Sequence, residues 1–207
     1  MIDYLKTLLN SVLIYRRESS AGMDSAPKRE RPWPTIACVR TKPRGKRIAV
    51  YAGSFDPVTK GHLWMIEQGS RLFDRLTIAV GSNPGKKSAF SMRERLEMLR
   101  ESTERIGNVS IAEFANSYLI HYAQSIGATH ILRGIRSGAD YEFERAMRNI
   151  NADMDSGICT VFLMPPRDIA EISSSMVKGL IGPSGWKIVV RKYVPAPVYK
   201  RLLQHHS

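Results

Sequence analysis

The chain has 207 residues, of which 43% are hydrophobic, and this is enough for one domain of ordinary size with a substantial core. Its 31 Lys and Arg residues outnumber its 19 Asp and Glu residues, and the resulting net charge of +12 suits an anionic partner, either a polyanion or a small molecule. No apolar run approaches the ~20 residues of a membrane helix. The two cysteines, Cys38 and Cys159, match no metal-ligand spacing and predict no disulfide framework, so a cytoplasmic location is expected.

Residues 1–46 differ in character from the rest of the chain. They are rich in proline and contain 10 basic and 4 acidic residues, which supply +6 of the total charge. This composition favours a disordered basic extension. Two alternatives remain: an upstream start, with Met23 as the true first residue, and a targeting or partner-binding helix, which Asp3 and Glu18 disfavour. We expect this segment to be dispensable for catalysis and the folded domain to span residues 47–207.

From residue 47 onward, short apolar runs alternate with helical patterns. The predicted strands cover residues 47–52, 75–81, 108–114, 129–132 and 159–164, and the predicted helices cover residues 61–73, 91–104, 118–127 and 140–153. Five strands alternating with helices predict an α/β fold: a Rossmann-like, doubly wound, parallel five-stranded sheet with helices on both faces. Such sheets bind ligands beyond the carboxyl ends of their strands.

The loop after the first strand is the most informative stretch. Residues 53–62 read GSFDPVTKGH and lead from a buried strand into a helix that opens near Gly61. The first N–H groups of a helix are unpaired and carry partial positive charge, which predicts an anion site here. His62 is expected to donate a ring N–H to a phosphate as negative charge shifts in the transition state. The alternative is that His62 only caps the helix.

Basic and hydroxyl side chains follow three other predicted strands. Lys86 and Lys87 follow the second strand, and either one could bind a substrate phosphate or be an ordinary exposed turn lysine. Arg133 and Arg136 follow the fourth strand, and they could bind phosphate oxygens or form surface salt bridges to a glutamate of the next helix. Residues 173–175 are three serines after the fifth strand, and one of them is expected to be a helix N-cap, which is compatible with phosphate binding.

Several other residues are expected to be structural. Cys159, Phe162 and Met164 belong to an apolar strand and are predicted to pack in the core, whereas His205 and His206 are predicted to form a frayed terminus. The rim of predicted loops carries no Cys-His or carboxylate metal cluster and no nucleophile elbow, so no protein metal site is expected.

Together these segments resemble the bacterial phosphopantetheine adenylyltransferases, a family of the nucleotidyltransferase superfamily with its T/H-x-G-H loop. The likeness runs from residue 47 to about residue 182, and its motifs are residues 51–62, 83–87, 132–144, 162–165 and 172–178. Four positions depart from the family's usual residues: Ser54 replaces Thr, Lys60 replaces Asn, Phe143 replaces Tyr and Ile169 replaces Trp. These departures concern substrate contacts more than the type of reaction.

The resemblance implies that ATP and 4′-phosphopantetheine give dephospho-coenzyme A and pyrophosphate, with Mg²⁺ bound together with ATP. It implies catalytic roles for His62, as the group that stabilises the α-phosphate in the transition state, and for Lys86 and Arg136. The implied ATP-binding residues are Ser54, Phe55, His62, Gly134, Ile135, Arg136, Glu144, Ile169, Ala170, Glu171, Ile172, Ser173, Ser174 and Ser175. The implied acceptor-binding residues are Ser54, Lys86, Leu119 and Arg133.

The resemblance also implies a homo-oligomer, a hexamer by family habit, with no nucleic-acid or membrane partner. One alternative is another nucleotidyltransferase of the same superfamily that uses a different phosphate acceptor. A second alternative is a nucleic-acid-binding protein, which predicts aromatic side chains interleaved with basic ones. The basic N-terminal segment offers only Trp33 for that purpose, so the second alternative is disfavoured.

Overall fold

The structure is a computed structural model, and it describes residues 45–81, 87–114, 117–155 and 157–206. The predicted N-terminal extension, apart from its last two residues, lies outside the described residues, as does Lys86. The strands are β1 (Ile48–Gly53), β2 (Arg75–Gly81), β3 (Val109–Phe114), β4 (His130–Gly134) and β5 (Cys159–Leu163). The helices are α1 (Lys60–Leu72), α2 (Met92–Thr103), α3 (Leu119–Ser125), α4 (Gly138–Met154), α5 (Arg167–Ala170), α6 (Ser174–Gly179), α7 (Trp186–Val190) and α8 (Ala196–His205).

All five strands are parallel and lie in the order β3-β2-β1-β4-β5. The chain therefore builds one half of the sheet outward from β1, and then returns to the other side of β1 to begin the second half with β4. At this reversal the loops after β1 and β4 diverge, and open α/β sheets bind their ligands in the crevice so formed. The predicted Rossmann-like fold is confirmed.

Two apolar clusters cover the two faces of the sheet. Successive residues of a strand point to opposite faces, so Ala49 belongs to one cluster and its neighbour Val50 to the other. The first cluster packs the sheet against α1, α2 and α8, and it contains Ile66, Leu99 and Leu202. The second cluster packs the sheet against α3. Burial on both faces explains why the central strands read as continuous apolar runs.

The sheet edge at β5 is less covered than the sequence predicted. Cys159 is exposed and Met164, one residue beyond β5, has 75% of its surface exposed, so the prediction that both pack in the core is wrong. The reason is that β5 is an edge strand. The neighbouring helix α4 also exposes an apolar stripe at helical spacing: Phe143, Met147, Ile150 and Met154.

The C-terminal helix is held against α2 by side-chain contacts. The ring Nε2 of His205 lies 2.8 Å from the Glu94 carboxylate, and the His205 and Phe90 rings are 4.7 Å apart. Arg201 forms an ion pair with Glu97 at 3.0 Å. The prediction that His205 belongs to a frayed terminus is therefore wrong. Within the described ranges, no helix combines the length and the apolar character that crossing a bilayer requires.

Candidate active site

His62 is fixed by a capping box at the start of α1. Thr59 is the N-cap, and its side chain accepts a hydrogen bond from the backbone N–H of His62 at 3.4 Å. In return, Nδ1 of His62 accepts the backbone N–H of Thr59 at 3.1 Å, so a histidine takes the place that Glu or Gln usually holds. Because Nδ1 is an acceptor, the proton of the neutral ring is assigned to Nε2.

The surroundings of His62 keep the ring neutral. Burial lowers the pKa of His62 to about 4, and the positive charge of Arg136 acts in the same direction. At neutral pH the side chain is therefore an uncharged N–H donor. The Phe55 ring lies 5.0 Å from the imidazole and is fully buried. Helix capping and donation to a ligand are compatible for His62, since they use different ring nitrogens.

The first turn of α1 is less open than the sequence predicted. The N–H of Lys60 donates to the carbonyl of Tyr193 at 2.9 Å, and the N–H of His62 is taken by Thr59. The expectation that unpaired N–H groups of this turn hold an anion is wrong for these two groups. An anion beside the helix would also meet the side chain of His62, which lines a cavity.

Gly61 allows close packing at the same helix start. A Cβ atom at this position would lie 2.5 Å from the carbonyl oxygen of Ile172, far inside van der Waals contact. Glycine therefore lets α1 approach the backbone that leads into α6, and His62 and Ile172 line one cavity.

Two cavities adjoin at the carboxyl ends of β1 and β4. The larger has a volume of about 610 Å³ and the smaller about 190 Å³. They share Ala52, Gly53 and Arg133 as a common wall. Two ligands bound in these cavities would therefore be neighbours at the carboxyl end of the central strand.

Most of the sequence-predicted residues separate between these cavities. From the predicted ATP set, the smaller cavity is lined by His62, Gly134, Arg136, Glu144, Ile169 and Ile172. From the predicted acceptor set, the larger cavity is lined by Ser54, Leu119 and Arg133. Three predicted ATP residues line the larger cavity instead: Ser54, which belongs to both predicted sets, Ser174 and Ser175. The remaining described members of the ATP set line neither cavity: Phe55, Ile135, Ala170, Glu171 and Ser173. Of the two lysines after β2, Lys87 lines the larger cavity, whereas Lys86 is not among the described residues.

Arg133 near the end of β4 and Arg136 just beyond it carry ion pairs. Arg133 forms a two-pronged pair with Glu144, with its Nε 2.7 Å from Oε2, and its Nη1 donates to the carbonyl of Ala52 at 3.3 Å. Arg136 pairs with Asp140 at 2.9 Å. The predicted alternative of a salt bridge to a glutamate of the next helix is therefore observed for Arg133. The pair is largely buried rather than on the outer surface, and Arg133 lines both cavities. Such pairing fixes the direction of each guanidinium before a ligand binds.

Three charged residues near the larger cavity were not predicted from the sequence to have a role. Asp56 and Arg95 are almost fully buried, and Lys178 pairs with Asp56 at 3.0 Å. The Arg95 guanidinium donates to the carbonyls of Ser54, at 2.8 Å, and Gly81, at 2.9 Å, and so ties the first loop to the end of β2. One indication of such a role was present in the sequence. Asp56 and Arg95 are charged residues at positions where the loop and the helix that carry them face the core.

The described residues contain no group of three or more His, Cys, Asp and Glu side chains that could hold a metal ion. The carboxylates nearest the cavities are already engaged, since Asp56 pairs with Lys178, Asp140 with Arg136 and Glu144 with Arg133. The described residues therefore offer no dedicated metal cage at these cavities.

Comparison with known proteins identifies the family of this chain. The family described as Cytidylyltransferase-like matches residues 50–180. In structure, the nicotinic acid mononucleotide adenylyltransferase of Plasmodium falciparum, complexed with NaAD, superimposes with a TM-score of 0.61 over 78% of this chain and 96% of that chain, at 13% identity. A putative nicotinate-nucleotide adenylyltransferase of Vibrio parahaemolyticus gives a TM-score of 0.55 at 18% identity, over 77% of this chain and 93% of that chain. These likenesses concern the fold. The chain belongs to the Cytidylyltransferase-like family and is a nucleotidyltransferase.

Sequence relatives narrow this class. The phosphopantetheine adenylyltransferase of Chromobacterium violaceum is 56% identical over 159 residues, which cover 77% of this chain and 97% of that protein. The corresponding protein of Neisseria meningitidis serogroup B is 54% identical over 165 residues, covering 80% and 97%. Within its family, the chain is therefore a member of the phosphopantetheine adenylyltransferases.

Proposed function

We propose that the protein transfers the adenylyl group of ATP to 4′-phosphopantetheine and releases dephospho-coenzyme A and pyrophosphate. The observation that carries this proposal is the common wall of Ala52, Gly53 and Arg133 between two cavities, one of which contains His62. ATP is assigned to the smaller cavity and the phosphate acceptor to the larger. This arrangement brings an acceptor phosphate up to the α-phosphate of ATP.

In the proposed step, a phosphate oxygen of 4′-phosphopantetheine attacks the α-phosphorus of ATP. The new P–O bond forms as the bond from the α-phosphorus to the bridging oxygen breaks, and pyrophosphate leaves with that electron pair. The attacking oxygen is already ionised at neutral pH, so no general base is needed. Positioning and stabilisation of charge can supply most of the acceleration.

Each side chain has a distinct part in this proposal. The Nε2–H of His62 donates to the α-phosphate oxygens as charge accumulates on them, which is the type of contact that stabilises a transition state. Arg136 neutralises the ATP phosphates from the same cavity, whereas Ser54 and Arg133 contact the acceptor. Lys86 remains the proposed ligand of the acceptor phosphate by family likeness, and Lys87, on the wall of the larger cavity, is close to it in sequence.

We also propose that Mg²⁺ enters the site with ATP. Asp56, Asp140 and Glu144 are each paired with a Lys or Arg, so the ion would be held by the nucleotide phosphates and water rather than by these carboxylates. Its chemistry would be to offset phosphate charge. The proposed location is the cytoplasm, on the basis of the two widely spaced cysteines.

Self-association is proposed through α4. Exposed apolar patches of this kind commonly mark interfaces, and the stripe of Phe143, Met147, Ile150 and Met154 adjoins a cavity of about 330 Å³ that also includes Arg133 and Glu144. A second copy of the chain is the proposed occupant, and a hexamer is the proposed assembly by family likeness. Analytical ultracentrifugation tests this assembly, and a monomer at micromolar concentration would contradict it.

The reaction is tested by incubating the full chain with ATP, Mg²⁺ and 4′-phosphopantetheine and measuring pyrophosphate and dephospho-coenzyme A. We expect stoichiometric formation of both products. Parallel reactions with nicotinate mononucleotide and with glycerol phosphate test the alternative acceptors. No turnover with 4′-phosphopantetheine, together with turnover of another acceptor, would assign the protein to a different nucleotidyltransferase activity.

A further inference from the structure

A buried carboxylate lies next to the larger cavity. Asp56 is only 4% exposed, and its two oxygens accept the backbone N–H of Ala89 at 2.9 and 3.1 Å. One oxygen also accepts the N–H of Phe90 at 2.9 Å, and the ammonium of Lys178 lies 3.0 Å from the other. A carboxylate with this many donors is an anchor, because little acceptor capacity is left for a metal ion or a substrate proton.

The partners of Asp56 belong to segments that are distant in sequence. Asp56 is in the loop between β1 and α1, Ala89 and Phe90 directly precede α2, and Lys178 is in α6. A second contact runs beside the first, since the Ser174 hydroxyl donates to the carbonyl of Pro57 at 2.8 Å. One buried charge therefore joins three segments whose separate conformations would otherwise be independent.

Each of the joined segments supplies a wall of the larger cavity. Ser54 comes from the first segment, Lys87 from the second, and Ser174, Ser175 and Lys178 from α6. The first segment also ends at Thr59, which orients His62. Displacement at Asp56 would therefore shift the acceptor side of the site relative to the His62 donor.

We propose that Asp56 is a positioning residue for adenylyl transfer, which holds the acceptor cavity in register with His62. This inference rests on the proposed function. A transfer that needs no general base depends strongly on geometry, and a misplacement of ~1 Å can cost ~10² in rate. Asp56 lines the larger cavity, but its oxygens are engaged by backbone N–H groups and by Lys178, so its effect is through the groups that it holds.

The test uses two isosteric variants of the full-length chain. Asp56→Asn keeps the shape of the side chain but replaces one acceptor oxygen by an NH₂ group. At least one of the present contacts then brings two hydrogen-bond donors together, because the neighbours of Asp56 are backbone N–H groups and the Lys178 ammonium. Asp74→Asn is the matched control. Asp74 also accepts a backbone N–H, that of Arg47 at 2.7 Å, and pairs with the Arg47 guanidinium at 3.1 Å. Those contacts lie at the amino ends of β1 and β2, away from the site.

Three measurements are compared: kcat, the KM of each substrate, and hydrogen exchange of peptides that contain Ala89 and Phe90. We expect Asp56→Asn to lower kcat by ~10² while each KM changes less than ~3-fold, because binding groups are retained but misplaced. Exchange at Ala89 and Phe90 should accelerate in this variant only. Lys178→Met should lower kcat less than Asp56→Asn, since it leaves the two backbone contacts in place.

Several results would overturn the positioning role. Asp56→Asn with unchanged kcat per folded molecule and only a lower Tm would make Asp56 purely structural. A raised KM with unchanged kcat in Asp56→Asn would make Asp56 a binding residue. If Lys178→Met lowered kcat as much as Asp56→Asn does, the positioning role would belong to Lys178. Exchange that stays unchanged in Asp56→Asn would also overturn it. If wild-type protein fails to turn over ATP and 4′-phosphopantetheine, the proposed function fails, and the exchange comparison still tests the anchor.

Discussion

The two ring nitrogens of His62 make its two roles separable by substitution. His62→Ala removes both the acceptor for the Thr59 N–H and the Nε2–H donor. His62→Asn keeps the acceptor, because Oδ1 of Asn is bonded to Cγ, as Nδ1 of His is, and can accept the same N–H. It withdraws the donor from the position of Nε2, because the amide NH₂ of Asn takes the place of ring Cδ2. The pair of variants therefore distinguishes a helix cap from a transition-state donor.

The expected magnitudes differ for the two contacts. Loss of one donor to developing negative charge typically lowers kcat by ~10²–10³, or about 2.7–4 kcal/mol. Loss of the cap hydrogen bond costs about 1 kcal/mol, which corresponds to ~2–4 °C in Tm for a chain of this size. His62→Ala should show both effects, and His62→Asn should show the rate loss with most of the Tm restored.

The assay is dephospho-coenzyme A formation at saturating substrates, together with ATP titration and calorimetry of each variant. The ATP KM should change much less than kcat, since a neutral donor contributes little to ground-state binding. If His62→Asn retained wild-type kcat, the histidine would be only a cap. Equal losses in ATP binding and in rate would lead to the same conclusion.

The lowered pKa of His62 gives this prediction a pH dependence. Burial brings the folded-state pKa to about 4, below the ordinary value of 6.5. Between these two values the unfolded chain binds a proton that the folded chain does not, so stability falls as pH drops through this window. Wild-type protein should therefore lose Tm more steeply from pH 6.5 to 4 than His62→Asn. The pH profile of kcat should show no step from this ring between pH 6 and 8.

Two further substitutions test the packing of the site. Gly61→Ala should lower the free energy of unfolding by about 1–3 kcal/mol, because the new methyl group would meet the carbonyl of Ile172. Thermal unfolding is compared with that of Gly107→Ala, where a Cβ meets nothing within 4 Å. Equal changes in Tm for the two variants would contradict the close approach at Gly61. Arg133→Met should lower the free energy of unfolding by about 3–5 kcal/mol, because it leaves the Glu144 carboxylate without its partner. In denaturant unfolding, a double variant that also carries Glu144→Met should recover most of that loss. Additive losses would show that the two side chains are not coupled.

The fold was predictable from the sequence because its main signals are local. Short apolar runs separated by helical patterns are sufficient to predict a parallel sheet, and the five strands and the main helices lie where they were predicted. The exposure of Met164 was not predictable in the same way, because an apolar residue next to an edge strand has the same sequence pattern as one next to a central strand. The His205–Glu94 pair joins residues 111 positions apart, and no local pattern reports it.

The candidate site was predictable in its location and less so in its contacts. Loops that follow parallel strands meet at one sheet edge, so the clustering of His62, Arg133 and Arg136 follows from chain order alone. The protonation of the His62 ring depends on the partner of Nδ1, and the sequence cannot specify that partner. The partners of Asp56 lie 33, 34 and 122 positions away, so its role as an anchor appears only in the folded chain.

The charge state of His62 also bears on how binding and acceleration are divided in the site. A permanent cation attracts the ATP phosphates equally before and during transfer, so much of its effect is uniform binding, which does not raise kcat. A neutral N–H gains most where charge increases, at the α-phosphate oxygens of the transition state. The structure supplies both kinds of group, with Arg136 charged and the half-buried His62 ring neutral in the same cavity. In the proposed mechanism, the lowered pKa of His62 keeps the ring neutral, whereas a solvated ring with an ordinary pKa would gain charge near neutral pH and bind the nucleotide ground state more tightly.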